Sequence, residues 1–411
     1  MAFTGATAGI AAGAQTNDTV LDWALEATYK TPPTGNYQQG RFTAETLSRQ
    51  ETTARPLEIN TVKEVSQSVV TQIAASGRIS GALSTGTYDD FLAGVLGADF
   101  LSATLASTAS LAVTLTKSNP SWQNLPTIET GVSGGFAEFD PYGGILSISD
   151  ASLPRNATVS YDKIVNGMHT IILPSGELDN VFSGSDPFSL STSGSVNSIY
   201  LVNGNVDKTY TIRKKILGKY LMYPGSVINQ VQLTFAQGQF AQVEIDVIPA
   251  NEVLSDADVA SSVLVAPSGV VHNTVDNFLG VSIFGVVPAG CVTSASIILA
   301  RSGSKVDYGN GHADGCGADL GQFQATGSIS LYFRTWDQYQ AALSGTQGRV
   351  VIKSVDNTGN GYAFVFINAA LRNPQLQTDS VNKTYELKLD IEGNPGTYGN
   401  TFAIFRLAPA S

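Results

Sequence analysis

Two-residue alternation limits this chain more than any other feature. Val231, Leu233 and Phe235 alternate with Gln232 and Thr234; beyond the turn at 236–239, Val243, Ile245 and Val247 alternate with Gln242, Glu244 and Asp246. Successive strand side chains point to opposite faces, so this segment predicts a hairpin with one buried and one wet face. The period returns at Ile329, Leu331 and Phe333, and at Tyr385, Leu387, Leu389 and Ile391, interleaved with Glu386, Lys388 and Asp390. Tyr210 with Ile212 and Phe364 with Phe366 add strands. Few segments show helical spacing, so the expected fold is mainly β.

Two short helices are legible. Thr87 precedes Tyr88, Phe91, Leu92, Val95 and Leu96, one apolar stripe, with Asp90 three residues past Thr87 as in a capping box. Thr335 precedes Trp336, Tyr339 and Leu343, with Gln338 in the reciprocal position. Thr87, Asp90, Thr335 and Gln338 are therefore the expected helix caps. The helices also expose a repeat. Ala75-Ser76-Gly77-Arg78-Ile79-Ser80 leads to the first helix as Ala325-Thr326-Gly327-Ser328-Ile329-Ser330 leads to the second. Gln232-Leu233 with Val243-Glu244-Ile245 returns as Gln375-Leu376 with Tyr385-Glu386-Leu387. Shared order across four elements points to duplication. It predicts two tandem β-barrel or sandwich units, each with one short helix: the first from 41–99 and 195–249, the second from 281–411. Residues 100–194 read as an inserted small β module, 250–280 as a polar linker, and 1–40 as an extended arm.

The 411 residues include 34 Asp and Glu against 23 Lys and Arg, a net charge of −11, and only 14% are charged; about 25% is usual. Sparse charge suits a surface buried against other protein. The acidic excess argues against a nucleic-acid binder, which needs clustered Lys and Arg. No apolar run approaches the roughly 20 residues of a membrane span, so no membrane insertion is expected. The first basic residue is Lys30, so a signal peptide is not expected; the reading is synthesis in a cytoplasm, with Cys291 and Cys316 reduced.

Catalytic chemistry is hard to assemble from three histidines. His169 and His272 stand alone, and His312 lies among Asp307, Asn310, Asp314, Cys316 and Asp319 in a glycine-rich stretch. His312 and Cys316 are two ligands where a zinc site needs at least three from the protein. Asp89 and Asp90 point about 100° apart on a helix, unlike a glycosidase pair. No catalytic residue, metal or cofactor is expected. Arg41, Arg49 and Arg55 accompany Glu45, Glu51, Glu58 and Glu64, which reads either as a solvated hairpin or as an interlocking loop pairing charges across a subunit boundary.

Several segments, in order, resemble the major tail tube protein of long-tailed bacteriophages with flexible, non-contractile tails. They are Arg41-Phe42-Thr43-Ala44-Glu45-Thr46-Leu47 followed by Arg55-Pro56-Leu57-Glu58-Ile59; Ser76-Gly77-Arg78-Ile79-Ser80-Gly81 leading to Thr87-Tyr88-Asp89-Asp90-Phe91; Lys208-Thr209-Tyr210-Thr211-Ile212-Arg213 with the 231–248 hairpin; and Ala325-Thr326-Gly327 through Tyr339 with the turn at 357–361. The resemblance covers most of 41–100, 200–250 and 281–407.

It implies a structural virion protein with a one-helix β unit repeated around a lumen. Single-unit relatives form hexameric rings, so two fused units imply trimeric rings of pseudo-six-fold symmetry, stacked into a tube that carries DNA into the host without binding it specifically. By the same resemblance the loops Arg49–Gln67 and Arg301–Leu320 reach the next ring. The stacking candidates are then Arg41, Arg49, Glu51, Arg55, Glu58, Asp307, His312 and Asp314, with 100–194 outside. An acidic wall repels phosphate; its candidates are Glu244, Asp246, Glu386 and Asp390. Implied partners are further copies of the chain, a tape-measure protein in the lumen, and tail terminator and distal tail proteins at the ends. The competing classes are another virion surface or decoration protein and a carbohydrate-binding β-sandwich adhesin.

Overall fold

A computed structural model describes residues 14–59, 61, 64–106, 111–116, 127–130, 144–150, 153–159, 161–165, 168–172, 188–192, 195–284, 286–356, 359–376, 381–396 and 399–407, with strand pairing alone between 102 and 198. Strands dominate, as the alternation requires. Those that build the frame are β1 (Val20–Leu25), β2 (Ser48–Ala54), β3 (Val69–Ala82), β4 (Ser195–Val202), β5 (Tyr210–Ile216), β6 (Lys219–Ala236), β7 (Gln242–Ile248), β8 (Phe278–Ile283), β9 (Val292–Ser302), β10 (Gln322–Tyr332), β11 (Gln347–Val355), β12 (Gly361–Leu376), β13 (Glu386–Asn394) and β14 (Phe402–Leu407). The helices are α1 (Asp89–Leu96) after β3 and α2 (Asp337–Ser344) after β10.

The two halves share one strand order. The first runs β1-β5-β6-β7-β3-β2 and the second β8-β11-β12-β13-β10-β9, every pair antiparallel. The long strands β6 and β12 both slip register midway, between Ile228 and Gln230 and between Arg372 and Gln375. The halves join edge to edge where β6 pairs with β9, Leu233 opposite Ile297. One apolar cluster runs through both, including Ile79, Ile245, Leu233, Ile297, Ile329 and Leu389, all from the buried parity of their strands. The strands do not close into a barrel. The outer strand β2 finds no further strand on its free side among the described residues, so the expected barrel is an open sheet in the single chain.

α1 is buried from Phe91 to Leu96, and its large apolar side chains contribute roughly 1.5–3 kcal/mol each. Both helices stop at a left-handed glycine, Gly97 (φ 62°) and Gly345 (φ 68°), whose neighbours Ala98 and Thr346 donate back to Ala93 and Ala341. The expected N-caps do not form. Thr87 Oγ1 lies 2.7 Å from Ser84 Oγ, and Asp90 Oδ2 accepts from Trp23 Nε1 at 2.9 Å. Thr335 Oγ1 is buried without a partner among the described residues, and Gln338 is buried. In both cases the helix starts one residue later than a Thr cap requires, at Asp89 and Asp337.

Residues 14–40 are not an extended arm. β1 pairs with β5, and Leu21, Trp23 and Tyr37 are core residues; residues 1–13 lie outside the described residues. Arg213 of β5 is fully buried, holding Asp22 at 2.7 and 2.9 Å and Asp258 at 2.6 Å, under the ring of Tyr37. The inserted segment is tied to the frame at its start: Leu101–Ala106 pairs with β4, which in turn pairs with β14 of the second half. A separate five-stranded sheet is built from 111–116, 127–130, 161–165, 168–172 and 188–192.

Segment 250–280 is tied down on both halves. Val253–Ser255 pairs with β6, and His272 sits buried with its backbone N–H on Leu83 and its carbonyl on Ala241. The His272 ring lies 2.8 Å from Ser354 Oγ and 3.4 Å from Thr85 Oγ1. Burial holds its pKa below the usual 6.5, opposed by the Asp356 carboxylate. A neutral folded imidazole means that the unfolded chain takes up more protons, so stability falls as pH drops through 6.5. Wild type should lose more of its melting temperature between pH 7 and 5 than His272→Gln; equal losses refute the assignment. Lys353, pushed down to about 7 by burial, acts mainly above pH 7 and cancels in that comparison.

Candidate self-assembly surfaces

The β6–β9 joint leaves two matching edges unfilled. Beyond Ala370, the side of β12 away from β13 has no strand among the described residues, whereas the corresponding side of β6 carries β9. At the other margin, β2 is exposed along its whole length, whereas its counterpart β9 is covered by β6. Unpaired ladders are templates for another strand.

The hairpins that continue these edges differ. β2 and β3 project as a two-stranded arm, closed near its tip by Arg55 Nη1 donating to Ser66 O at 2.8 Å. Leu57 and Ile59 at the tip are fully exposed, and Glu58 lies between them. Arg49 pairs with Glu51 on the arm. The counterpart loop, 303–321, folds back instead. Ala313 O accepts from Ile73 N–H at the base of the arm (2.7 Å), and Asp314 takes Lys30 Nζ at 2.6 Å. That ammonium holds the Asp314 carboxyl below its usual pKa, and Lys305 does the same for Asp307. His312 stays exposed on the loop. Arg41 belongs to neither hairpin, since its Nη1 donates to Gly269 O at 2.6 Å.

The wet face of the joined sheet gathers all four acidic candidates. Glu244 and Asp246 receive Arg78 at 2.7 and 2.6 Å, Glu386 accepts from Thr293, and Asp390 accepts from Asn373 Nδ2 at 2.9 Å. Arg372 pairs with Glu392 on the same face at 2.7 Å. Together with Lys388, these cations offset all but two of the five carboxylates. Between the charged patches, Thr234, Ser296 and Ser328 form an uncharged lane. This face is thus less acidic than its carboxylates alone suggest. Arg78 was missed as a partner although its parity, next to inward Ile79, already placed it on the wet face. Both cysteines are exposed free thiols, and among the described residues no three His, Cys, Asp or Glu side chains cluster to hold a metal.

Open edges at both margins, a projecting arm and a broad polar face define a β-rich building block made to join further copies. The family comparison agrees: the profile of the phage tail tube protein family matches residues 16–399, and the chain belongs to that family. It is a structural protein of the bacteriophage virion, a component of the tail tube. A comparison with curated proteins returned no match. No helix among the described residues is long and apolar enough to cross a membrane.

Proposed function

We propose that three chains close a pseudo-six-fold ring, and that such rings stack into the tube of a long, non-contractile tail, assembled in the host cytoplasm. The observation that carries this is the β6–β9 joint: the chain makes one half-to-half contact internally and leaves both sides of the same contact open at its margins. Repeating the joint three times between halves and three times between chains leaves no free lateral edge. The arm at one end of the sheet then reaches the next ring. The polar face lines the lumen, where near-balanced ion pairs and the neutral lane give DNA phosphates little to bind. A tape-measure protein fills that lumen during assembly, and terminator and distal tail proteins cover the ends.

The joint fixes the register between chains. Leu376 faces Leu387 as Leu233 faces Val243, and Ser48 faces Ser76 as Ile298 faces Thr326. Since Gln232 faces Ile298 across the internal joint, Gln375 of one chain meets Ser48 of the next. With Cys291→Ser and Cys316→Ser removing background thiols, Gln375→Cys with Ser48→Cys should oxidise to a ladder ending at trimer, because facing strand residues lie within disulfide reach. A ladder reaching six chains refutes the trimer, and the absence of any cross-link refutes the register. Electron microscopy of the concentrated protein should show rings or hollow tubes.

A further inference from the structure

The chain also contains, once, a contact between a helix and the neighbouring half. Both ends of α1 are held by the second half. At its start, Asp89 accepts from Tyr362 Oη and from Arg406 Nη1 (3.1 Å); at its end, Arg301 Nε donates to Val95 O at 2.8 Å. Tyr362 faces Arg406 across the β12–β14 ladder. In the other half, following the shared strand order, Asp337 takes the place of Asp89 and Leu343 that of Val95. Lys219 and Asp256, one step beyond the Tyr220–Ser255 pair, take the places of Tyr362 and Arg406.

Among the described residues of one chain, α2 has no such neighbour. Trp336 is 54% and Leu343 69% exposed, and Asp337 is exposed. The corner that would cover it is bare as well: Leu217 is 80% and Leu254 59% exposed. Lys219 and Asp256, 2.9 Å apart, have side chains 56% and 80% exposed. Apolar surface is thus open on both sides, with a carboxylate on the helix and an ammonium on the corner.

We propose that α2 of one copy seats on the Leu217–Lys219 and Leu254–Asp256 corner of the next copy, with Lys219 taking at Asp337 the role that Arg406 plays at Asp89. This rests on the ring reading above. Trp336 and Leu343 lie against Leu217 and Leu254, and Asp256 stays beside Lys219 as it is in the single chain. The seat is narrower than the cover over α1, because Gln340 and Ser344 stand where α1 has Leu92 and Leu96. That fits the first half alone adding the strand β4 near its helix.

The test is charge reversal across the seat. Lys219→Glu and Asp337→Lys are exposed changes, so each variant should keep the wild-type circular dichroism and melting temperature. Each should raise the protein concentration needed for half-assembly, read by sedimentation velocity, by about tenfold, since like charges facing across an interface oppose docking. The double variant should return to within about threefold of wild type. Single variants that assemble like wild type, or a double variant as poor as the two singles combined, overturn the seat while wild-type rings uphold the ring. A wild-type chain that stays monomeric at every concentration overturns both.

Discussion

Replacing residues 56–67 of the projecting arm with an Asn-Gly turn should give rings that no longer stack. The tip lies outside the chain's own core: β2 is exposed at every position, and so are the tip residues Leu57 and Ile59. Asn-Gly suits a two-residue hairpin turn, so shortening the arm keeps the pairing nearer its base. Isolated two-stranded hairpins are marginal in water; this one is anchored because β3 continues into the sheet and Ile73 is held by Ala313. The melting temperature should therefore stay within a few degrees of wild type, while micrographs change from tubes to single rings. Tubes of ordinary length would show that stacking lies elsewhere.

Arg213→Met should be the most damaging single change in the frame. Asp22 is 3% exposed and receives two hydrogen bonds from the guanidinium. Removing the partner of a buried charge costs about 3–5 kcal/mol, and the stacking of the guanidinium on Tyr37 is lost as well. The pH dependence separates this cause from simple loss of packing. Burial already raises the Asp22 pKa, with Arg213 opposing that rise. Without Arg213 the folded carboxyl binds its proton more tightly than the unfolded one by a wider margin. Stability lost as pH rises through the folded pKa should therefore return on acidification. The deficit of the variant in urea should shrink between pH 7 and 4; a constant deficit would mean that Asp22 is not the source.

What the sequence shows follows from how local its signals are. Period-two alternation is written within seven residues, so β6, β7, β10 and β13 are legible. The two strand-turn-helix units also betray the duplication, and the shared pairing order follows the same lines. β1 has no such signal. Val20–Leu25 is buried on both faces, and Asp22 looks like a surface residue until Arg213, 191 positions away, is beside it. The caps fail for a similar reason, since Ser84 and Trp23 compete for the groups that Thr87 and Asp90 were expected to offer the helix. Of the surfaces, the arm charges and the parity of the acidic residues are readable. The fold-back of 303–321 depends on Ile73 and Lys30, far away in the chain, and no spacing rule reveals it.

Fusing the halves changes the order of the assembly reaction. In the proposed three-chain ring, half of the wedge-to-wedge joints would be made during folding, at an effective concentration set by the tether rather than by the cell. At low abundance, ring formation then scales with roughly the third power of subunit concentration instead of the sixth. Alternate wedges are also freed from being identical. One can carry a projecting hairpin while its twin bends inward to steady it, a division of labour closed to a ring of six like subunits.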